Sequence, residues 1–354
     1  MRIVHYYRDL LRSSGVTHAI REWQSACEKA GQVTIALHNG DGDDVWDLPN
    51  EQAKHIGRGR QLQIPLLHEL FKVGDVLVLH EGWVTSNIIA AASARRHGVP
   101  YVMVPHGVYE PTIIRDLKQP RVIRSWFESR MIRKASAIHV FHEPEQAVVT
   151  AVSSARSFII APTGYNLSPG TKWKPGGAYL AWFGRYSVEH KGIDLMLAAY
   201  AMIPPHQRLP LHMHGSDYEG GLAETIELVL AFGLTDWVTV GGSVYGDDKL
   251  NFLLGSAGLL FPSRWESHSI ALLEALSLGM PILLNKSIHI ASALATAGAV
   301  ETVDYTDMFT ASSAITQLTT RIELSLLAQR FVTSDLNWDR ILPTYLSQVR
   351  ALRP

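Results

Sequence analysis

The stretch "GLLFPSRWESHSIALLEALSLGMPILLN", Gly258 to Asn285, reads in order as buried strand, polar loop, helix and second buried strand. "GLLFPS" and "PILLN" are short apolar runs. "SIALLEALSLG" between them is a helix stopped by Gly279 and Pro281, with Ser267 or Ser269 as its N-cap. Two buried strands joined through a helix are the repeating unit of a parallel sheet. Two glutamates punctuate the unit, Glu266 in the loop and Glu274 inside the helix.

The same rhythm extends in both directions. Upstream, "RIVHYY", "QVTIALH", "DVLVLH", "YVMVPH", "AIHVFH" and "SFIIAP" read as strands, with helical stretches such as "THAIREWQSACEKAG" between them, the last ending on Gly31 as a C-cap. "SPGTKWKPGG", residues 168–177, is dense in Gly and Pro and reads as a linker. After it the pattern restarts with "AYLAWFG", "LPLHMHG" and "WVTVGG". The expected architecture is α/β. It comprises two Rossmann-like, doubly wound parallel-sheet domains, at 1–167 and 178–336, facing a central cleft. The amphipathic end, 337–354, is expected to cross back onto the first domain.

Composition narrows the function classes. The chain has 354 residues and a formal net charge of -1, which gives no reason to expect a nucleic-acid partner. Its single cysteine, Cys27, excludes an internal disulfide and fits a reducing compartment. Arg2 and Arg8 interrupt any signal-like start, and no run of ~18 apolar residues occurs. The chain therefore reads as cytoplasmic, with room for a peripheral position on the inner face of a membrane.

The glutamates suggest chemistry. Eight helical steps would separate them by about 12 Å along the axis, too far for the carboxylate pair of a retaining glycosidase at about 5–5.5 Å. That spacing suits two ends of one extended ligand, with a helix N-terminus between them to favour a phosphate. Sugar at Glu266, phosphate at the helix start and ribose at Glu274 describe a nucleotide-sugar. The alternative is two solvated ends of an amphipathic helix.

Strand, "PS", Glu, seven residues, Glu, Ala and then Gly-x-Pro resembles the E-x7-E signature of retaining glycosyltransferases of family 4, which have the GT-B fold. "GVTHAIREWQSACEKAG", "YVMVPHG", "AIHVFHEPE", "IIAPTGYN", "AWFGRYSVEHKGIDLMLAAY" and the final helix with Trp338 resemble that family's further elements in order. The resemblance implies transfer of a sugar from a UDP- or GDP-sugar to an acceptor hydroxyl with retention, by front-face substitution. The acceptor would be a bacterial glycan or a lipid-linked glycan. Glu274 would hold the ribose, Glu266 the transferred sugar, and Arg185 and Lys191 the diphosphate. Ser267, His268, Ser269 and Ile270 would line the phosphates. His106, at a strand end before Gly107, would lie near the sugar, Gly15 would let backbone approach the phosphates, and Gly242 and Ser243 would meet the base. Fixed cations and a helix dipole at the leaving group leave no need for a metal or other cofactor.

The chain departs from the commonest family form in reading Glu266-Ser267-His268-Ser269 where glycines are usual, and Ser13-Ser14-Gly15 at the first loop. Asp41 and Asp43 in "NGDGDD" read as a solvated acidic loop, since Gln52 stands where a calcium loop needs glutamate. "HMH", His212 to His214, lacks a third ligand, and His80 ends another strand as a cap or packing residue. The run Arg115 to Lys134 interleaves seven basic residues with Trp126, Phe127, Met131 and Ile132. It reads either as a face for anionic lipid or as a solvated helix with its apolar side packed inward. Two rival functions stay open: a nucleotide-sugar epimerase of GT-B fold, and a non-catalytic nucleotide-sugar-binding subunit.

Overall fold

The computed structural model describes residues 1–10, 14–40, 52–58, 61–116, 121–165 and 171–353. Ser13, Asp41, Asp43, Lys118 and the opening of the Gly/Pro-rich segment lie outside them. The chain divides into two compact units, Met1–Gly164 with Leu336–Pro354, and Tyr165–Asp335.

The first unit contains β1 (Arg2–Tyr6), β2 (Val33–His38), β3 (Ala53–His55), β4 (Gly57–Arg58), β5 (Gln61–Leu62), β6 (Asp75–His80), β7 (Tyr101–Val104), β8 (Ala137–Val140) and β9 (Phe158–Ile160). Seven of them form a parallel sheet in the order β3-β2-β1-β6-β7-β8-β9, while β4 and β5 pair as a small antiparallel ribbon. Alternation along the strands fills both faces, as a sheet covered on both sides requires. Val4, Tyr6, Leu77, Leu79 and Met103 share one apolar cluster. Ile3, Val76, Val78, Val102 and Val104 share the other, with Trp23 and the helix Trp338–Arg350. The Trp23 ring lies 4.8 Å from that of Trp338 and 4.4 Å from that of Tyr345, so the returning helix is seated on aromatic contacts.

The second unit contains β10 (Tyr179–Phe183), β11 (Leu211–His214), β12 (Val238–Gly241), β13 (Ser256–Phe261), β14 (Ile282–Asn285) and β15 (Glu301–Val303). They form a parallel sheet in the order β12-β11-β10-β13-β14-β15. The helix Ile270–Leu278 buries Leu272, Leu273, Leu276 and Leu278 and ends on Gly279 at φ 77, the left-handed cap that its sequence predicts. Truncating a buried leucine such as Leu276 to alanine costs about 2–5 kcal/mol.

Three elements go beyond the sequence reading: β3, β15 and the ribbon. "AKH" and "ETV" are short and partly polar because they border the sheets, so they carry no buried apolar run to detect. The described part of the Gly/Pro-rich segment also does more than tether. Trp173 is buried, its backbone N–H donates to Leu278 O at 2.9 Å and its indole N–H to Ser256 O at 2.7 Å.

Strand order reverses at β1, whose neighbours are β2 and β6, and at β10, whose neighbours are β11 and β13. Open α/β sheets bind ligands beyond the carboxyl ends of the strands at such reversals. The candidate residues follow those strand ends.

Candidate active site

In the second unit, the segment after β13 carries Glu266 and the one after β10 carries Lys191. Lys191 Nζ donates to Glu266 Oε1 in an ion pair whose side chains are 14% and 12% exposed. Burial alone would raise the Glu266 carboxyl. The Lys191 charge outweighs it, and the group sits below its usual range. The sequence assigned these residues separately to diphosphate and sugar; the fold makes them one charged unit. His190 stacks flat on Trp265, centroids 4.7 Å apart, and its Nε2 lies 3.0 Å from Trp265 O. Burial, with Lys191 beside it, lowers His190 to about 4, so it is a neutral spacer.

Gly192 fixes this arrangement. Its φ is 62, and a Cβ would meet Pro262 O at 2.2 Å, so only glycine lets the Lys191 turn close onto the end of β13.

Beyond Glu266 three residues, Ser267 to Ser269, precede the helix Ile270–Leu278, so only four of the eight steps to Glu274 are helical. Ser269 holds the N-cap position in extended conformation without a side-chain cap bond. Ser267, His268, Ser269 and Ile270 are all partly exposed around that helix start. Glu274 receives an ion pair from Lys249 Nζ at 2.6 Å, a residue the sequence reading did not single out. A hollow of about 90 Å³ lies against this pair, lined among others by Tyr165, Leu250 and Ser277. Arg185 follows β10 and is exposed, its guanidinium 4.9 Å from the Tyr218 ring centroid. Gly242 and Ser243 follow β12 and are exposed; a Cβ at Gly242 would meet nothing within 4 Å.

In the first unit, three non-glycine residues at strand ends adopt left-handed backbone: Glu81 (φ 66), Trp83 (φ 61) and His106 (φ 54). Such conformations cost energy and gather at functional sites. His106 follows β7 and precedes Gly107, also left-handed at φ 78. Its Nε2 lies 2.8 Å from His80 Nδ1. Tyr7 donates to Glu81 Oε1 at 3.3 Å and lies 3.1 Å from Ser14 Oγ, while burial raises the Glu81 carboxyl. Gly15 is the first residue of the helix Gly15–Lys29, and a Cβ there would meet nothing within 4 Å. Glu81 and Tyr7 escaped the sequence reading; a carboxylate directly after "DVLVLH" was the available signal.

Among the described residues no group of three or more His, Cys, Asp or Glu is arranged to hold a metal ion. His212 instead stacks on Tyr179, centroids 4.1 Å apart.

The basic run forms two helices, Pro111–Asp116 and Arg121–Lys134. Met131 and Ile132 pack inward, and Glu128 is buried on the Tyr109 hydroxyl. Val122, Ile123, Trp126 and Phe127 are exposed, Val122 by 83% and Trp126 by 55%, which corrects the inward-packed alternative for Trp126 and Phe127. No helix among the described residues is long and apolar enough to cross a membrane.

Comparison with known proteins adds two family models to this geometry, each over part of the chain. The model "Glycosyl transferase 4-like domain" matches residues 14–157 and "Glycosyl transferases group 1" matches residues 169–325. No curated protein matches the chain by sequence. Solved structures match along nearly its full length. Sucrose-phosphate synthase from Thermosynechococcus elongatus is 19% identical with TM-score 0.77, covering 98% of this chain and 97% of that one. HepE of Anabaena, solved with UDP, is 14% identical with TM-score 0.78, covering 99% and 100%. The lipopolysaccharide outer core galactosyltransferase WaaB is 12% identical with TM-score 0.73, covering 98% and 100%. At these identities the likeness establishes the fold: two parallel-sheet domains of GT-B type.

Proposed function

We propose, from its GT-B fold and the two glycosyltransferase family models that match its two halves, that this chain moves a sugar from a UDP- or GDP-sugar to an acceptor hydroxyl with retention of configuration. The observation that carries the reading is the Lys191–Glu266 pair beside a helix start without a side-chain cap, with Glu274 one turn inside the same helix. Nucleoside diphosphate lies along that line. Glu274 accepts from ribose hydroxyls, the N–H groups of Ser269 and Ile270 and the guanidinium of Arg185 meet phosphate oxygens, and Glu266 accepts from a sugar hydroxyl. Gly242 and Ser243 meet the base.

As the anomeric C–O bond breaks, its electron pair leaves with the diphosphate, and negative charge grows on the departing phosphate oxygen. Arg185, Lys191 and the helix dipole stabilise that charge. The acceptor oxygen forms its bond on the same face, and its proton passes to the departing oxygen. No metal enters this scheme.

The UDP seen with HepE is the analogy that favours a nucleotide-sugar donor. The acceptor belongs to bacterial polysaccharide or glycolipid synthesis. The exposed apolar side chains and flanking arginines of Arg121–Lys134 support a face that rests on anionic lipid.

The test is release of UDP from UDP-glucose, or of GDP from GDP-mannose, with and without a membrane glycolipid extract. Acceptor-dependent release is expected from a transferase. Nucleotide-sugar isomerised without release identifies an epimerase, and binding without turnover identifies an idle subunit. Either result contradicts the proposal.

A further inference from the structure

His214 is the last residue of β11, which lies between β10, the strand leading to Arg185, and β12, the strand leading to Gly242 and Ser243. Three contacts fix its ring. Nδ1 lies 3.0 Å from Gly242 O. The ring meets that of Phe252, on the helix Gly246–Leu254, edge to face with centroids 4.8 Å apart. It also lies against the backbone of β12, because a Cβ at Gly241 would come within 2.4 Å of its Cε1 and 2.6 Å of its Nδ1. Glycine at 241 is what makes room for the imidazole. The Tyr186 hydroxyl, shared between Met213 O at 2.9 Å and Gly241 O at 2.7 Å, ties the same two strand ends together.

These contacts decide how the ring can bond outward. A carbonyl oxygen only accepts, so Nδ1 carries the proton that Gly242 O receives. In the neutral ring Nε2 is then a bare acceptor. It has no hydrogen-bond partner among the described residues, and it is not one of the enclosed polar atoms. The fold thus holds a rigid acceptor at the end of β11, beside the exposed Gly242 and Ser243.

Nucleobases differ in what they bring to such an atom. Uracil N3 and guanine N1 carry a hydrogen, whereas cytosine N3 and adenine N1 are bare lone pairs. We propose that His214 Nε2 accepts the ring N–H of the donor base, which makes His214 a specificity-determining residue. It admits UDP or GDP and turns away CDP and ADP, whose ring nitrogen would set one lone pair against another. The inference rests on the nucleotide-sugar reading of the second unit and adds to it the side chain that chooses the base.

Calorimetric titration with UDP, CDP, GDP and ADP at pH 8 tests this. Wild type should bind UDP over CDP, or GDP over ADP, by roughly ten- to a hundredfold. His214→Asn keeps a donor for Gly242 O, since its amide nitrogen stands where Nδ1 stood, and has no atom at the place of Nε2. Its preference should shrink roughly tenfold, the worth of one hydrogen bond, through weaker binding of the favoured nucleotide. CDP or ADP bound as tightly by wild type, or an undiminished preference in the folded variant, overturns the proposal and leaves the donor site standing. Unaltered protein gives a second reading. Methylation of uracil N3 or guanine N1 removes the N–H, and the methylated nucleotide should bind roughly tenfold or more weakly. Equal affinity for the methylated nucleotide also overturns the proposal. If wild type binds none of the four nucleotides, the donor reading itself fails and His214 falls with it.

Discussion

Lys249 Nζ and Glu274 Oε1 lie 2.6 Å apart, joining the helix Gly246–Leu254 to the helix Ile270–Leu278. The pair is partly exposed, so its worth to stability is under about 1 kcal/mol. On the proposed donor reading its value is orientation, since Lys249 holds Oε1 of the carboxylate assigned to the ribose. Lys249→Met should leave the thermal midpoint nearly unchanged and weaken UDP or GDP binding by roughly three- to tenfold, the entropy of one freed side chain. Unchanged nucleotide affinity would remove Lys249 from the site.

The Lys191–Glu266 pair is the more deeply placed. Glu266→Gln leaves a largely buried lysine without its counter-charge, an expected cost of about 2–3 kcal/mol in the second unit. Turnover should fall further than nucleotide affinity, because the contact proposed for Glu266 is to the sugar. The lowered Glu266 carboxyl also sets an acid limit. Its stabilisation is full above the unfolded value of about 4.3 and is lost as pH falls through the lower folded value. Chemical denaturation of wild type and Glu266→Gln at pH 7 should differ, and the gap should close in strong acid. A gap independent of pH would contradict the pairing.

The first unit should weaken at milder acidity. Burial, with His139 beside it, lowers His5 to about 3, and burial lowers His139 itself to about 4. Unfolded, each takes a proton near pH 6.5. Below that value the unfolded chain binds more protons, so stability falls as pH falls from 6.5 toward the folded values. At pH 5 each histidine should cost about 2 kcal/mol relative to pH 8. Thermal unfolding followed by tryptophan fluorescence should show a lower midpoint at pH 5. An unchanged midpoint would mean that these histidines are not buried and neutral.

Trp126 and Phe127 stand exposed on the helix Arg121–Lys134, with the Arg130 guanidinium 5.7 Å from the Trp126 ring centroid. Co-sedimentation with phosphatidylglycerol vesicles should exceed that with neutral vesicles. It should drop severalfold in a Trp126→Ser, Phe127→Ser double variant that still folds. Binding indifferent to lipid charge and to both residues would remove the membrane face.

Much of this architecture is legible in the chain. Runs such as "DVLVLH" and "YVMVPH" are apolar on both faces, so parallel strands and their covering helices are written plainly in them. Gly279 and Pro281 mark the helix end to the residue. β3 and β15 are hidden because short bordering strands need no apolar run. Trp173 shows the limit of composition, since Gly and Pro around it read as a tether while its indole finds a buried carbonyl. Within the site, Glu266 and Glu274 announce themselves by spacing, but their lysine partners do not. Lys191 and Lys249 lie 75 and 25 residues away in sequence, and only the sheet order brings them near.

The most direct measurement is calorimetric titration of wild type and Glu274→Ala with UDP and with GDP, in EDTA. Wild type should bind one of the two nucleotides. Glu274→Ala should bind it roughly ten- to a hundredfold more weakly, because the ribose loses a charged acceptor worth about 1.5–3 kcal/mol. Equal affinity in both proteins, or no binding of either nucleotide to wild type, would contradict the donor site and return the two glutamates to being ion-paired charges at a helix.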